Sequence, residues 1–417
     1  MTAAALLALR PARRPDLLIG PAVLRGTTEF RPVKDPVSGA RYELRAKEYF
    51  VVSRLDGQRS LADIGQEYAG HFGVRLAERN WQQLLQLLYG RGLLLGEPAA
   101  VRPAAAQAAA STPARPSNLL AGHARLVADA PALIDTLHRR TGYARTRAFW
   151  AVLLVLVTVM LADLAAESGT LADDLRQLWH RPALLLAVGV ALWISLGLHE
   201  LGHGLAARAH GGAVTEIGLR WQLPVGYPYC LVQDVAFFAR RRDQVLTVAA
   251  GPAMNLLFPL PPWLVWLLLP RHDPAHYALG GLLLLEVAVA CGNLLPLPPL
   301  DGYKLLGYAL GTSQLATDSR EFLRLAIAAG YGRGEGTGGY TRRMRLVYGA
   351  YGLLYGAVLG GVAAAAVSLA GLWLADRHGT AWGFAPALAV AAALALRQTG
   401  VSVRARRELT ARQRQAE

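Results

Sequence analysis

Six long blocks of hydrophobic residues dominate the chain after residue 147. They run at about 148–166, 182–208, 245–269, 277–300, 346–375 and 380–397, and each is near the roughly 20 residues that an α-helix needs to cross a bilayer. Within each block the hydrophobic residues do not form the single stripe of an amphipathic helix. We therefore predict a mainly α fold, with a polytopic helical membrane domain of about six transmembrane helices over residues 148–397.

The residues before these blocks have the pattern of a small α+β domain. TEFRPVKDPVSGARYELR predicts a β-hairpin whose turn runs from Asp35 to Gly39. Helical patterns follow in AKEYFVVSRL, in SLADIGQEYAG with Ser60 as a cap, and in LAERNWQQLLQLLYGRG. Two strands and three short helices predict a winged-helix-like domain over residues 24–97, preceded by an N-terminal extension, 1–23.

Three further segments differ from both domains in composition. Residues 98–117 are rich in Ala and Pro and are typical of a linker. Residues 118–147 form a basic, amphipathic juxtamembrane segment, and residues 398–417 form a basic tail. The first residues lack the apolar stretch of a secretory signal, so we expect the N-terminal part to stay in the cytoplasm.

Arginine supplies most of the basic excess, which gives the 417-residue chain a formal net charge of +14. With the N-terminal domain inside the cell, the outer loops hold only Arg176, Arg181, Arg271 and Arg377. This asymmetry satisfies the positive-inside rule and predicts a multi-pass protein of the cell membrane with both termini cytoplasmic. Arginines beside hydrophobic blocks also meet the anionic head groups of the lipid bilayer.

Two classes of protein are excluded by the remaining composition. No arginine and aromatic pattern of a nucleic-acid module is present, and residues 24–97 lack a basic recognition helix, so we expect no nucleic-acid partner. The chain has only two cysteines, Cys230 and Cys291, which rules out a disulfide framework.

The second hydrophobic block contains HELGH, residues 199–203. Side chains four residues apart share one face of a helix, so His199 and His203 can bind one metal ion. Two imidazoles suit Zn²⁺, and Glu200 is placed to act as a general base on water. The alternative is polar pairing within a helix bundle, but ionisable residues at membrane depth are costly and usually functional.

The fourth block ends in NLLPLPPLDG, residues 293–302. Its prolines cannot continue a helix, so we expect the backbone to unwind there. Broken backbone at membrane depth is tolerated only within protein or against water, which makes Asp301 a candidate third metal ligand. The alternative is an interfacial Asp at the end of a helix.

The third block begins with AGPAMN, residues 250–255, where Gly and Pro predict a close approach of helices or a local break. Asn255 is a buried amide that either binds substrate or a developing oxyanion, or ties two helices together.

Together, HELGH, AGPAMN and NLLPLPPLDG resemble the three signatures of the site-2 proteases, family M50, over roughly residues 182–310. The resemblance implies an intramembrane zinc metalloprotease in which His199, His203 and Asp301 bind Zn²⁺ and Glu200 is the catalytic base. It also implies that Asn255 and Asn293 help to hold the substrate or the oxyanion. Residues 215–238 resemble the membrane-associated β-like loop that guides an extended substrate in this family; an inert connector is the alternative.

Residues 24–97 are similar to PqqD-like domains, the peptide-recognition elements of systems that modify ribosomal peptides. Such a domain before an M50 core resembles a group of bacterial peptide zinc metalloproteases. A hairpin edge beside a helix groove can accept a leader peptide as an added strand. The alternative is a generic winged helix that packs on the membrane domain.

Two functions follow. The first is zinc-dependent endoproteolysis of a peptide or membrane-anchored protein at or within the cytoplasmic side of the membrane, with a ribosomally made precursor as one candidate substrate. The alternative is a membrane component that binds or exports a peptide without cutting it. The intact HELGH motif favours the first, because a protein that does not cut has no need of Glu200. The sequence makes no prediction of the oligomeric state.

Overall fold

The computed structural model describes residues 3–95, 120–142, 146–331 and 336–390. The fold is mostly helical, with a small strand-containing region at the N-terminus. The predicted linker, 98–117, and the predicted tail, 398–417, lie outside the described residues.

The N-terminal region contains the predicted hairpin. Strands β3 (Thr28–Lys34) and β4 (Arg41–Arg45) pair antiparallel around a turn in which the Gly39 N–H donates to the Asp35 carbonyl. The three predicted helices follow, and Ser60 caps the second by accepting the N–H of Asp63. They are α2 (Ala46–Val52), α3 (Leu61–Phe72) and α4 (Glu78–Gly90).

Residues before the hairpin are part of the same unit. After α1 (Ala3–Leu7), the short strands β1 (Leu18–Ile19) and β2 (Val23–Arg25) both pair antiparallel with β3. Leu6 and Leu17 are buried in one hydrophobic core with Trp81 and residues from all three later helices. Burial of these apolar side chains holds the strands and helices together.

In the part of the chain that the structure describes, five helical segments are long and apolar enough to cross a membrane. The third consists of two helices separated at Phe258 and Pro259, because proline lacks the N–H that would continue the first helix. The five segments are α6 (Arg147–Ala166), α8 (Pro182–Ala209), α9 (Arg241–Leu257) with α10 (Leu260–Leu268), α11 (Pro274–Asn293) and α14 (Arg342–His378).

Two predicted spans differ from the structure. The fourth was predicted to reach residue 300, but α11 ends at Asn293 because the prolines at 296, 298 and 299 force the backbone out of the helix. Of the predicted sixth span, residues 380–384 form a 3₁₀ turn and residues 385–390 are helical, while residues 391–397 lie outside the described residues.

A sheet lies beside the second span. Its order is β5–β6–β7, all antiparallel, so β7 (Val225–Gln233) is an outer strand next to β6 (Ala213–Gln222). Strand β5 (Ala121–Arg125) and helix α5 (Ala130–Arg140) come from the predicted juxtamembrane segment. Residues 118–147 therefore include a strand of this sheet as well as a helix.

Helix α7 (Ser168–Trp179) packs on α11 through a buried polar cluster. The Asp174 carboxylate accepts the Trp266 Nε1–H at 3.0 Å and lies 3.2 Å from Nδ1 of His276. A Cβ atom on Gly280 would lie 1.9 Å from Asp174 Oδ2, so the absence of a side chain there lets the two helices meet.

The N-terminal region is docked on the membrane domain. The Leu24 N–H donates to the Gly311 carbonyl at 2.7 Å, and the Ser313 N–H donates to the Leu24 carbonyl at 3.2 Å. These bonds attach β2 to the turn between α12 (Asp301–Leu310) and α13 (Leu315–Gly330). Lys34 Nζ also lies 2.7 Å from Asp234 Oδ1, and both side chains are mostly buried.

Replacing Lys34 with Ala should loosen this docking. It leaves the Asp234 carboxylate without its cation in a mostly buried place, which costs about 1–3 kcal/mol. The backbone amides of Leu24 and Ser313 should then exchange with solvent about tenfold faster or more. Hydrogen–deuterium exchange mass spectrometry measures this rate. The exposed Lys47→Ala is the control and should leave both amides unchanged; equal exchange in the two variants would contradict the docking role of the ion pair.

Candidate metal centre

Two imidazoles on α8 face each other at the predicted position. His199 and His203 lie one helical turn apart, and their Nε2 atoms are 3.2 Å apart. His199 is 3% exposed, and the side chain of His203 is 13% exposed. Both rings therefore point into protein, away from the surface that a bilayer would cover.

Asp301 completes the group from a different helix. It is the first residue of α12, directly after the proline-rich break that follows α11. Its Oδ2 atom lies 2.9 Å from His199 Nε2 and 3.1 Å from His203 Nε2. The three ligand atoms thus form a compact triangle able to hold a metal ion.

The triangle fits a zinc ion. Ligand atoms at about 2.0–2.1 Å from a tetrahedral Zn²⁺ lie about 3.3 Å from one another, and the three edges here measure 2.9, 3.1 and 3.2 Å. Two imidazoles and one carboxylate are also a usual donor set for zinc that keeps a fourth position open.

The other nitrogen of each ring has a partner in α9. Nδ1 of His203 lies 2.9 Å from the Thr247 carbonyl oxygen, which can only accept, so Nδ1 carries the proton and Nε2 keeps its lone pair. Nδ1 of His199 lies 2.6 Å from Asn255 Oδ1. Such partners fix the orientation of imidazoles that bind metal.

Gly251 allows α9 to lie directly against the two histidines. A Cβ atom at this position would lie 2.3 Å from His203 Nε2 and 2.7 Å from His199 Cε1. On the other helix, a Cβ atom at Gly202 would lie 2.8 Å from the Ala250 carbonyl oxygen. The close helix approach predicted from AGPAMN is confirmed, but the sequence did not show that Gly251 forms a wall of the metal group.

Glu200 contacts the sheet. Its Oε2 accepts the backbone N–H of Cys230 in β7 at 3.2 Å, and the residue is half-buried. Burial, with a smaller effect from the Glu200 charge, raises the pKa of the Cys230 thiol to about 12. The thiol is therefore protonated at neutral pH.

The two predicted asparagines are in different environments. Asn255 is 1% exposed and both polar ends of its amide face protein: Oδ1 lies against His199, and Nδ2 donates to Ser195 Oγ at 3.1 Å. Asn293 is half-buried at the last position of α11. Their role in holding substrate or an oxyanion stays a prediction.

Several residues near the triangle were missed by the sequence reasoning. Lys304 Nζ donates to Asp301 Oδ1 at 2.9 Å, one turn along α12. Ser195 and Glu286 lie behind Asn255 and are both buried. The sequence could have indicated Lys304, because it follows Asp301 by three residues on one helix. It could not have indicated Glu286, because this residue is 91 positions away from its partner Ser195.

Comparisons with known proteins identify relatives of this chain. Residues 187–278 match the model of peptidase family M50. Rip2 of Mycolicibacterium smegmatis, named a zinc metalloprotease, is 30% identical over 181 residues, which cover 37% of this chain and 68% of Rip2. The Synechocystis protein sll0528, also named a zinc metalloprotease, is 31% identical over 162 residues, 38% of each chain. No solved structure matches this chain.

Gly251→Ala should abolish high-affinity zinc binding. The added methyl group occupies the space of the His203 imidazole, so the ring has to rotate away from its partners. We expect the zinc affinity of the purified protein to fall about 100-fold or more, since a displaced ligand costs at least as much as a lost hydrogen-bond partner of a ligand. Competition with a chromophoric chelator measures this.

Gly189→Ala is the matched control on α8, because nothing lies within 4 Å of its added Cβ. It should bind zinc like the unmodified protein. If Gly251→Ala and Gly189→Ala bind zinc equally well, the described contact between α9 and the histidines is wrong.

Proposed function

This chain belongs to peptidase family M50 and is a membrane zinc metalloprotease, and we propose that it hydrolyses peptide bonds at the cytoplasmic side of the membrane, with a ribosomally made precursor peptide as substrate. The observation that carries the proposal is the convergence of His199, His203 and Asp301 from two separate helices. Zinc is the cofactor, and these three side chains are the ligands we propose for it.

The chemistry divides between the ion and one carboxylate. Zinc in such a site acts as a Lewis acid and lowers the pKa of water. Glu200 is the proposed general base: its carboxylate takes a proton from the attacking water and passes it to the amine nitrogen of the leaving peptide. Asp301 is held in place by the charge-assisted bond from Lys304.

Strand β7 is the position that we propose for the substrate, beside Glu200. The Cys230 N–H that reaches Glu200 belongs to the outer strand of the sheet. Further along the same strand, the Gly226 carbonyl accepts the Trp193 Nε1–H of α8 at 3.2 Å. Both of these backbone groups are bonded to α8, so a peptide that adds to β7 as a strand next to Glu200 has to displace these two contacts.

A cavity supports access from the side of the N-terminal domain. It has a volume of about 570 Å³ and lies between β2, β3 and β4 on one side and the start of α9 and α12 on the other. Lys304, which contacts Asp301, is part of its wall. The cavity is therefore connected to the proposed zinc site through Lys304, on the side that the arginine distribution assigns to the cytoplasm.

The elements of the N-terminal region also support the proposal of a peptide substrate. Its hairpin and three helices match the elements that the PqqD-like resemblance implies. The family match is confined to residues 187–278, however, so capture of a leader peptide by this region stays a prediction.

Glu200→Gln should retain zinc and lose cleavage. Gln has almost the same shape and can still accept the Cys230 N–H, but it cannot take a proton from water. We expect a fall in turnover of about 10²–10⁴-fold, with zinc still near one ion per chain. The assay uses purified protein in nanodiscs and a mixed-sequence fluorogenic peptide library, with cleavage products identified by mass spectrometry.

Glu167→Gln is the control, since Glu167 pairs with Arg271 away from the zinc ligands, and it should cut normally. Full cleavage by Glu200→Gln would remove Glu200 as the base. A wild-type protein that binds zinc yet cuts no peptide, including candidate precursors, would favour the non-cleaving alternative.

The proposed orientation places Arg176 outside the cell and Arg242 inside. Their side chains are similarly exposed, at 77% and 72%, so they form a matched pair for cysteine labelling. In a variant without the two native cysteines, a membrane-impermeant maleimide applied to intact cells should label Arg176→Cys and leave Arg242→Cys unlabelled until the cells are lysed. The reverse pattern would place the zinc site at the opposite face.

A further inference from the structure

A chain of buried polar side chains runs from the proposed zinc ligand His199 to a glutamate on another membrane helix. Asn255 Oδ1 lies 2.6 Å from His199 Nδ1, Asn255 Nδ2 donates to Ser195 Oγ at 3.1 Å, and Ser195 Oγ donates to Glu286 Oε2 at 2.9 Å. All four residues are at most 3% exposed, and Glu286 is 0% exposed. The chain joins α8, α9 and α11.

The direction of hydrogen-bond donation follows from the end of this chain. A carboxylate only accepts, so the single hydroxyl hydrogen of Ser195 goes to Glu286. The lone pairs of Ser195 Oγ then face Asn255, which must turn its NH₂ group toward them. This orientation leaves the amide oxygen of Asn255 facing His199, where it accepts a hydrogen bond.

The result at the zinc site is one fixed tautomer of His199. An amide oxygen accepts only from a protonated Nδ1, so the hydrogen of the neutral ring is on Nδ1 and the lone pair is on Nε2. Nε2 is the atom that lies 2.9 Å from Asp301 Oδ2, inside the ligand triangle. His203 reaches the same state through the Thr247 carbonyl.

We infer that Glu286 is a positioning residue for zinc binding, which acts through Ser195 and Asn255 to hold His199 in the tautomer and orientation that present Nε2 to the ion. The inference rests on the proposed function, because it assigns a role toward the zinc of that site. It extends the site by two residues, Ser195 and Glu286, that lie outside the sequence motifs.

Charge supports the same assignment. A buried carboxylate at membrane depth is expensive unless a positive charge compensates it. A divalent cation at the three ligands would supply such a charge at the other end of this polar chain.

The competing interpretation is that the chain only ties three helices together. The two roles differ in what Glu286→Leu does. An apolar residue in place of a buried charge often leaves stability unchanged or raises it, so a positioning role predicts an intact fold with weaker zinc binding. A tie between helices predicts a lower melting temperature of the zinc-free protein and no specific effect on the ion.

The test measures the zinc dissociation constant of full-length protein in nanodiscs by chelator competition, together with the melting temperature of the zinc-free form. Glu286→Leu and Ser195→Ala should each weaken zinc binding about 10–100-fold, as for other partners of metal-binding histidines. Glu286→Gln should bind much more tightly than Glu286→Leu, because its amide oxygen accepts the same bond from Ser195. Cobalt-loaded Glu286→Leu should show an altered visible absorption spectrum.

Two matched controls test whether the effect on zinc affinity depends on the position of the buried polar group or only on its burial. Asp174→Asn changes another buried carboxylate of the membrane domain, and Ser319→Ala removes another buried hydroxyl, in α13. Both should keep wild-type zinc affinity. If Glu286→Leu does not fold, Ser195→Ala decides the question alone.

Wild-type zinc affinity in a folded Glu286→Leu or Ser195→Ala variant would overturn the inference while leaving the three ligands in place. Loss of zinc binding in both controls would overturn it as well, since the effect would then belong to any buried polar group. A wild-type protein that binds no zinc would instead refute the zinc site of the proposed function.

Discussion

Helices α8 and α9 pack closely at Gly251, which has no side chain and so leaves room for two imidazoles, and the zinc site depends on this contact. The imidazoles of His199 and His203 fill the space that a Cβ atom on α9 would take. The same contact brings the Thr247 carbonyl and the Asn255 amide within hydrogen-bond distance of the two Nδ1 atoms. Ligand spacing and ligand orientation are therefore both set by one helix pair.

The third proposed ligand, Asp301, is positioned by a break between two helices. Helix α11 stops at Asn293, and the prolines that follow lead the chain to Asp301 at the start of α12. Lys304 then holds the second oxygen of this carboxylate, so Oδ2 faces the imidazoles. In this break Leu294 and Leu295 are exposed, whereas Asp301 itself is buried at 6% exposure.

Polar contacts also connect the site to its surroundings on three sides. Toward the sheet, Glu200 accepts the Cys230 N–H of the outer strand, which links the proposed base to the strand proposed to bind an extended peptide. Toward the membrane interior, Asn255 leads through Ser195 to Glu286. Toward the N-terminal region, Lys304 lines the cavity that β2 closes by pairing with residue 311. The site thus lies where three parts of the molecule meet.

The sequence alone determined the features that depend on short-range pattern. Continuous hydrophobic blocks predicted a polytopic helical membrane domain, alternation around Asp35 predicted the hairpin, and a four-residue spacing placed His199 and His203 on one helix face. Residue types that cannot continue a helix predicted the break before Asp301. Only the tertiary structure decided that Gly251 and Glu286 lie around the metal group. Those facts depend on contacts between residues far apart in the chain, which no local periodicity encodes.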